Sequence, residues 1–304
     1  MTSIVILLAL VLDRQLGETR HYHPLVGFGM LATRLAKKLH PGTEKKAWQQ
    51  RAYGMFALIL LLAPFMAIAV LLQVNTFLSW LTSLLVLYWA IGAQSLTQHA
   101  CAVHHALLEN KLDDARQKTA RMVSRDTASM DQNDMSRATV ESVLENGNDA
   151  IFAALFWFLL AGIPGVVAYR LVNTLDAMWG YKTPQWQYFG TFAARLDDLL
   201  NFIPARLTAL SYALLGQYTT AMRCWMKQGH QWESPNAGPV MAAGAGALAI
   251  QLGGNAHYHG EIRQRQILGE GPIATSNDIA RACQLVQRSI VLWLVVIAGV
   301  DYLA

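Results

Sequence analysis

RATVESVLENGNDAIFAALFWFLLAGIPGVVAYRLVNTLDAMWGYK, residues 137–182, sets a row of ionisable side chains against an uncharged apolar run from Ala150 to Tyr169. Arg137, Glu141, Glu145 and Asp149 recur every four residues, so on a helix they form one stripe. Arg137 and Glu141 make a favourable pair. Glu141–Glu145 and Glu145–Asp149 are like-charge pairs, each costing about 0.2–0.5 kcal/mol even when exposed. Beside a membrane-grade apolar segment such groups are costlier still. The stripe therefore needs an offsetting cation, either an arginine from elsewhere or a divalent metal with its phosphate.

The apolar run approaches the roughly 20 residues needed to cross about 30 Å of hydrocarbon. Gly162-Ile163-Pro164-Gly165 interrupts it with a strong helix breaker. Two arrangements follow: a straight crossing, or a re-entrant hairpin whose irregular backbone is buried by protein. The hairpin is preferred because it keeps Glu141–Asp149 and Asn173–Asp176 in one compartment.

Composition extends the membrane reading to the whole chain. Of 304 residues, 54% are hydrophobic and 14% charged. The expectation is an all-α, polytopic membrane helical bundle with cytoplasmic polar loops, in a single domain over 1–304. Spans are expected at 54–72 and 76–96, joined by the uncharged turn Gln73-Val74-Asn75. A hairpin over 150–176, a span or buried bundle helix over 203–225, and an anchor at 289–303 complete the set. The net charge of +4 is concentrated between Arg34 and Arg51, ahead of an apolar run, which is the pattern of positive charge kept in the cytoplasm. It does not point to nucleic acid. Cys101, Cys224 and Cys283 lie far apart and read as free thiols. Ser3–Leu12 is too short to span and lacks a signal-peptide pattern.

Local signals are more modest. Residues 16–29 read as a loop, with His21 and His23 solvated more readily than ligating. Residues 98–123 read as helical, with His99 and His104 five apart and so off a metal-binding row. Asp134 or Ser136 suits the cap of the helix carrying the acidic stripe. Pro204 suits the first turn of a helix reaching about Trp225. S-P-N-A-G, residues 234–238, is a rigid turn before a small-residue helix, Met241–Leu252. Thr275 with Asp278 makes a capping box for the last helix. No Walker-type phosphate loop occurs, and a G-x-G-x-x-A at 244–249 lacks the preceding strand of a dinucleotide site.

Taken together in order and spacing, several blocks resemble the CobD/CbiB family of cobalamin biosynthesis, adenosylcobinamide-phosphate synthase. They are H-P-L-V-G-F-G at 23–29, S-R-D-T at 124–127, V-E-S-V-L-E-N at 140–146 with Asp149, N-T-L-D-A-M-W-G-Y-K at 173–182, R-L-D-D-L-L-N-F-I-P-A-R at 195–206, and S-P-N-A-G. Departures are Glu18-Thr19, Ala154 and Ala177, where the family usually has Asp-Pro, proline and serine.

The resemblance implies a multi-pass inner-membrane enzyme with its active site facing the cytoplasm. It implies amide formation between adenosylcobyric acid and (R)-1-amino-2-propanol or its O-phosphate, using ATP and Mg²⁺. Other late cobalamin-assembly enzymes of the membrane are candidate partners. Glu141, Glu145, Asp149, Asp197 and Asp198 are then candidates for Mg²⁺ or acid–base work, with Asp197 and Asp198 favoured as metal ligands. Arg125, Arg137, Lys182, Arg195 and Arg206 are candidate cations for a transferring phosphoryl group. Asp176 is a candidate base for the amine. Asp126, Thr127, Asn146, Asn173, Asn201, Ser234 and Asn236 complete the expected substrate and nucleotide contacts. Two competing readings are a non-enzymatic AmpE-like membrane sensor or scaffold, which lacks most of these motifs, and a transporter, against which no inverted repeat is found.

Overall fold

The computed structural model describes residues 2–18, 23–74, 79–258 and 261–303. Helices account for almost all regular structure, as the composition demands of a membrane bundle. The chain divides by packing into two compact units, Met1–Gly92 with Ala153–Asn201, and Ala93–Phe152 with Phe202–Ala304.

The first unit opens with α1 (Thr2–Leu16), α2 (Pro24–Leu39), α3 (Ala47–Val74) and α4 (Ser79–Ala90). Part of the expected 16–29 loop is helix: His23 is the N-cap of α2 and Pro24 fills its first position, where a missing N–H costs nothing. His21, and Asn75 of the expected turn, lie outside the described residues. The first expected span lies within α3, whose Phe56, Ile59, Leu60 and Leu71 remain exposed, as lipid-facing side chains would be. The second, 76–96, is not one continuous helix. It stops at Ala90, and a new helix begins at Ala93 beyond Ile91-Gly92.

After passing through the second unit, the chain returns as α8 (Ala153–Trp179) and the first part of α9 (Thr191–Leu215). Gly162 breaks α8, with φ 61° and ψ −142°, a region open essentially to glycine alone. Gly165 then lies so close that a Cβ there would collide with the carbonyl of Trp157. In an unbroken helix, residues eight apart stand about 12 Å apart. The two arms therefore fold sharply back on one another. At about 1.5 Å per residue the apolar part of the first arm, from Ala150 to Ala161, measures about 18 Å and the second arm about 25 Å, each short of the roughly 30 Å of hydrocarbon. The amide of Ile163, left without a helical partner at the corner, donates to Gln73 Oε1 at 2.8 Å. Phe28, Leu58, Leu61, Leu171, Leu175, Trp179 and Phe189 form this unit's buried core.

The second unit contains α5 (Ala93–Leu108), α6 (Leu112–Thr119), α7 (Gln132–Gly147), the remainder of α9, α10 (Tyr218–Gln228), α11 (Ala237–Leu248), a ribbon of β1 (Ala256–Tyr258) and β2 (Glu261–Arg263), and α12 (Ser276–Leu303). The expected 98–123 helix is split at Asn110, which takes φ 55°. Neither Asp134 nor Ser136 caps α7; Asp131 does, accepting from Asp134 N at 2.7 Å. The small-residue helix begins four residues earlier than expected, and every residue of α11 is buried. Its alanines and glycines let α10 and α7 approach closely. The expected span 203–225 is divided, because α9 ends at Leu215 and the Gln217 amide turns to Ala247 O at 3.0 Å. Pro204 sits inside α9 rather than at its start. The capping box of α12 forms as expected, with Thr275 N and Oγ1 both donating to Asp278 Oδ2.

Among the described residues, three helical runs are long and apolar enough to cross a membrane: Ala47–Val74, Gln132–Trp179 and Ser276–Leu303. The middle run is the one that Gly162 folds.

Candidate functional site

The predicted site residues fall into two constellations, one in each unit.

In the second unit, α7 carries the acidic stripe and continues into a π-helical turn at Asn148–Phe152. Such turns concentrate at functional positions. The amide of Asn148 bonds back to Glu145 O, and Leu144 O accepts instead from the buried Tyr212 hydroxyl at 3.1 Å. The Asn148 side chain is buried between two partners. It accepts from Thr208 Oγ1 at 2.9 Å and donates to Asp149 Oδ1 at 2.8 Å. That contact orients Asp149 at the start of the apolar run.

Glu141 is 2% exposed, and both its oxygens are taken up. Oε2 meets Arg125 Nη2 and Arg265 Nη1; Oε1 accepts from Arg265 Nη2 at 3.2 Å and from the Gly253 amide at 2.8 Å. This is the distant arginine that the stripe required. Arg265 also donates through Nε to Gly254 O and lies 5.1 Å above the Trp232 ring. Arg137 does not pair with Glu141. It turns one helical turn back to Asp134 at 2.5 Å and reaches Asn255 O, because Glu141 is already occupied by two other guanidinium groups.

Three further candidates hold the start of α11. Ser234 Oγ accepts from the amides of Asn236 and Ala237, and Arg206 bonds Asn236 Oδ1 at 2.6 Å and Pro235 O at 3.0 Å. Arg206 also stacks 3.8 Å over Phe202. Asn146 donates to Ser142 O and Oγ, while Glu145 stays half-buried one turn from Glu141. Asp126 is exposed beside Arg125, and Thr127 O accepts from the Met130 amide.

In the first unit, the Asp197 carboxylate lies between two side-chain amides. Asn173 Nδ2 donates to Oδ1 at 3.2 Å, and Asn201 Nδ2 donates to Oδ2 at 3.0 Å. The Tyr169 hydroxyl in turn holds Asn201 Oδ1 at 3.1 Å, and Arg170 reaches Asn173 Oδ1 at 3.4 Å. The two amides are thereby fixed with their N–H groups toward Asp197. Burial raises the Asp197 pKa, opposed by these two amides and reinforced by neighbouring Asp198. Asp198 is raised by burial too, opposed by the positive charges of Arg195 and Lys182. Asp176, near the end of α8, accepts the Gly180 amide through its backbone carbonyl.

Among the described residues, no three His, Cys, Asp or Glu side chains converge as a preformed metal cage. A Mg²⁺ that arrives on a nucleotide needs no cage, since phosphates and waters fill most of its octahedron and one or two carboxylates suffice. Each Asp197 oxygen accepts one amide hydrogen and keeps lone-pair capacity, so adjacent Asp197 and Asp198 fit that role.

Sequence reasoning did not anticipate Arg265, Gly253, Tyr169 or Arg170 as members of these constellations. Arg265 sits in a polar, turn-rich stretch with no periodicity to mark it.

A family model described as CobD/Cbib protein matches residues 6–286. Similar proteins include "Cobalamin biosynthesis protein CobD" of Chromobacterium violaceum, 52% identical over 96% of this chain and 94% of that one. Another of the same name, from Stutzerimonas stutzeri, is 50% identical over 95% and 94%. The Mycobacterium tuberculosis protein is 34% identical over 99% and 94%. No solved structure matches. The chain belongs to the CobD/CbiB family of cobalamin biosynthesis proteins.

Proposed function

We propose that this chain is an ATP-dependent amide ligase of the inner membrane, with its active site facing the cytoplasm. It joins the carboxylate of adenosylcobyric acid to the amine of (R)-1-amino-2-propanol or its O-phosphate. The observation that carries the reading is the Asp197 carboxylate, oriented by Asn173 and Asn201 and set beside Asp198, Arg195 and Lys182. Paired carboxylates next to two cations suit a Mg²⁺-nucleotide: the acids take the metal and the cations take phosphate oxygens.

When bound, ATP supplies the phosphoryl group that makes the substrate carboxylate a leaving-group-bearing acyl donor, and Mg²⁺ screens its charge. The chain's residues do the rest. Lys182 and Arg195 hold negative oxygens in place. Asp176 accepts a proton from the incoming ammonium, so that a neutral amine attacks. In the second unit, Asp149, oriented by Asn148, and Glu145 are that constellation's own acid–base groups. Glu141 serves to fix Arg125 and Arg265 rather than to touch substrate. Arg206, Ser234 and Asn236 fix the entry to α11.

The test uses detergent-purified protein with ATP, Mg²⁺, adenosylcobyric acid and aminopropanol phosphate. The expected result is the mass of the conjugate with stoichiometric loss of ATP. No conjugate and no ATP consumption in several detergents would count against the ligase.

A further inference from the structure

In the second unit, a cavity of about 330 Å³ opens where α12 enters its apolar segment. Arg281, Arg288, Gln217 and Gln284 supply its polar wall, and Leu215 and Leu285 its apolar one. None of these residues belongs to either constellation described above.

Arg281 pairs with Asp278 at 2.5 Å and donates to Leu248 O at 2.6 Å, which leaves part of its five-donor guanidinium facing the cavity. Arg288 is exposed and forms no ion pair among the described residues. Two arginines against one aspartate give the cavity rim a net charge of +1, the complement of one phosphodiester.

Helical spacing places this charge in a membrane context. Gln284, Arg288, Val291 and Val295 follow one another at intervals of four, three and four, so they share a stripe. Val291 and Val295 are 59% and 65% exposed on a helix apolar enough to span. In a bilayer that stripe faces acyl chains. Arg288 is the last charge before the apolar segment, at the level where a lipid phosphate sits.

We propose that this cavity binds the headgroup of an anionic phospholipid. The phosphodiester is held by Arg288 and Arg281, the glycerol oxygens by Gln217 and Gln284, and an acyl chain lies along Val291 and Val295. Basic pockets at the polar ends of membrane helices recognise such headgroups.

Native mass spectrometry of the full-length protein tests this, with phosphatidylglycerol or phosphatidylcholine supplied in detergent. Phosphatidylglycerol should be retained preferentially. Arg288→Gln should reduce that retention about fivefold, the effect of one interfacial cation, while Arg288→Lys keeps most of it and phosphatidylcholine is unaffected. Equal retention by Arg288→Gln and the parent protein would overturn the proposal. So would displacement of the lipid by soluble glycerol 3-phosphate at matched concentration, which would make this a site for a free phosphate.

Discussion

The indole of Trp157 donates to the carbonyl of Leu200 at 2.9 Å, and Pro204, four residues on in the same helix, has no N–H to offer that carbonyl. A proline inside a helix normally strands an acceptor. Here the first arm of the folded α8 supplies the missing donor, while the second arm reaches the next residue, Asn201, through Tyr169. One helix irregularity thus anchors another.

This pairing predicts non-additivity. Trp157→Phe removes the donor and should cost about 1–3 kcal/mol, the penalty of an unsatisfied carbonyl. Combining it with Pro204→Ala should recover most of that loss, because the alanine's own N–H then donates to Leu200 O within the helix. Thermal unfolding of the four proteins in detergent gives the coupling. Strict additivity would mean that Trp157 contributes by packing alone.

Gly162 carries the corner. Gly162→Ala forces a β-carbon into a glycine-only conformation and against the Gln73 side chain. A loss of about 1–3 kcal/mol is expected from the backbone alone, visible as a lower melting temperature. A variant as stable as the parent would show that the run straightens without cost.

Glu141→Gln leaves Arg125 and Arg265, each 9% exposed, without their shared counter-charge. Breaking a buried ion pair from one side costs about 3–5 kcal/mol. The variant should therefore fold poorly, and its surviving fraction should turn over normally. A well-folded but inactive Glu141→Gln protein would instead place this carboxylate in the chemistry.

His23 caps α2 through Nδ1, which accepts from Leu25 N at 3.3 Å and must be unprotonated to do so. Burial lowers its pKa below the usual 6.5, with Glu18 opposing and Arg170 reinforcing. Just below pH 6.5 the unfolded chain therefore binds a proton that the folded chain refuses. Stability is complete above that pH and falls as the solution becomes more acidic. His23→Asn keeps a capping acceptor without a titrating ring. Melting temperatures between pH 8 and 5.5 should fall less for this variant than for the parent; parallel curves would rule the cap out as the titrating element.

What was legible in the sequence was local. Gly162-Ile163-Pro164-Gly165 announces a corner because glycine opens backbone conformations closed to other residues and Pro164 withholds an N–H from the helix, and Thr275 with Asp278 announces a helix start because the partners stand three apart. The all-α membrane architecture followed from apolar run lengths. The partners of Glu141 were not legible: Arg265 and Gly253 lie more than a hundred positions away, and nothing near them signals a buried carboxylate. The contacts of Arg206, Ser234 and Asn236 at the start of α11 are nearer in sequence, about thirty positions or fewer, but a turn motif such as S-P-N-A-G does not say which arginine it meets. The divided spans at 76–96 and 203–225 were missed because hydropathy sees composition, whereas Gly92 and Gly216 break the helix with little change in it.

The central claim is that a carboxylate is activated by phosphoryl transfer at the Asp197 constellation. It is tested most directly with adenosylcobyric acid carrying ¹⁸O in its free carboxylate. Turnover with ATP and aminopropanol phosphate should deliver one ¹⁸O into inorganic phosphate for each amide formed. Asp197→Asn, which keeps one acceptor but turns an NH2 group toward one of the two fixed amide donors, should melt below the parent protein and abolish this transfer in the fraction that folds. Conjugate formed with unlabelled phosphate, or label transfer undiminished in Asp197→Asn, would contradict the account.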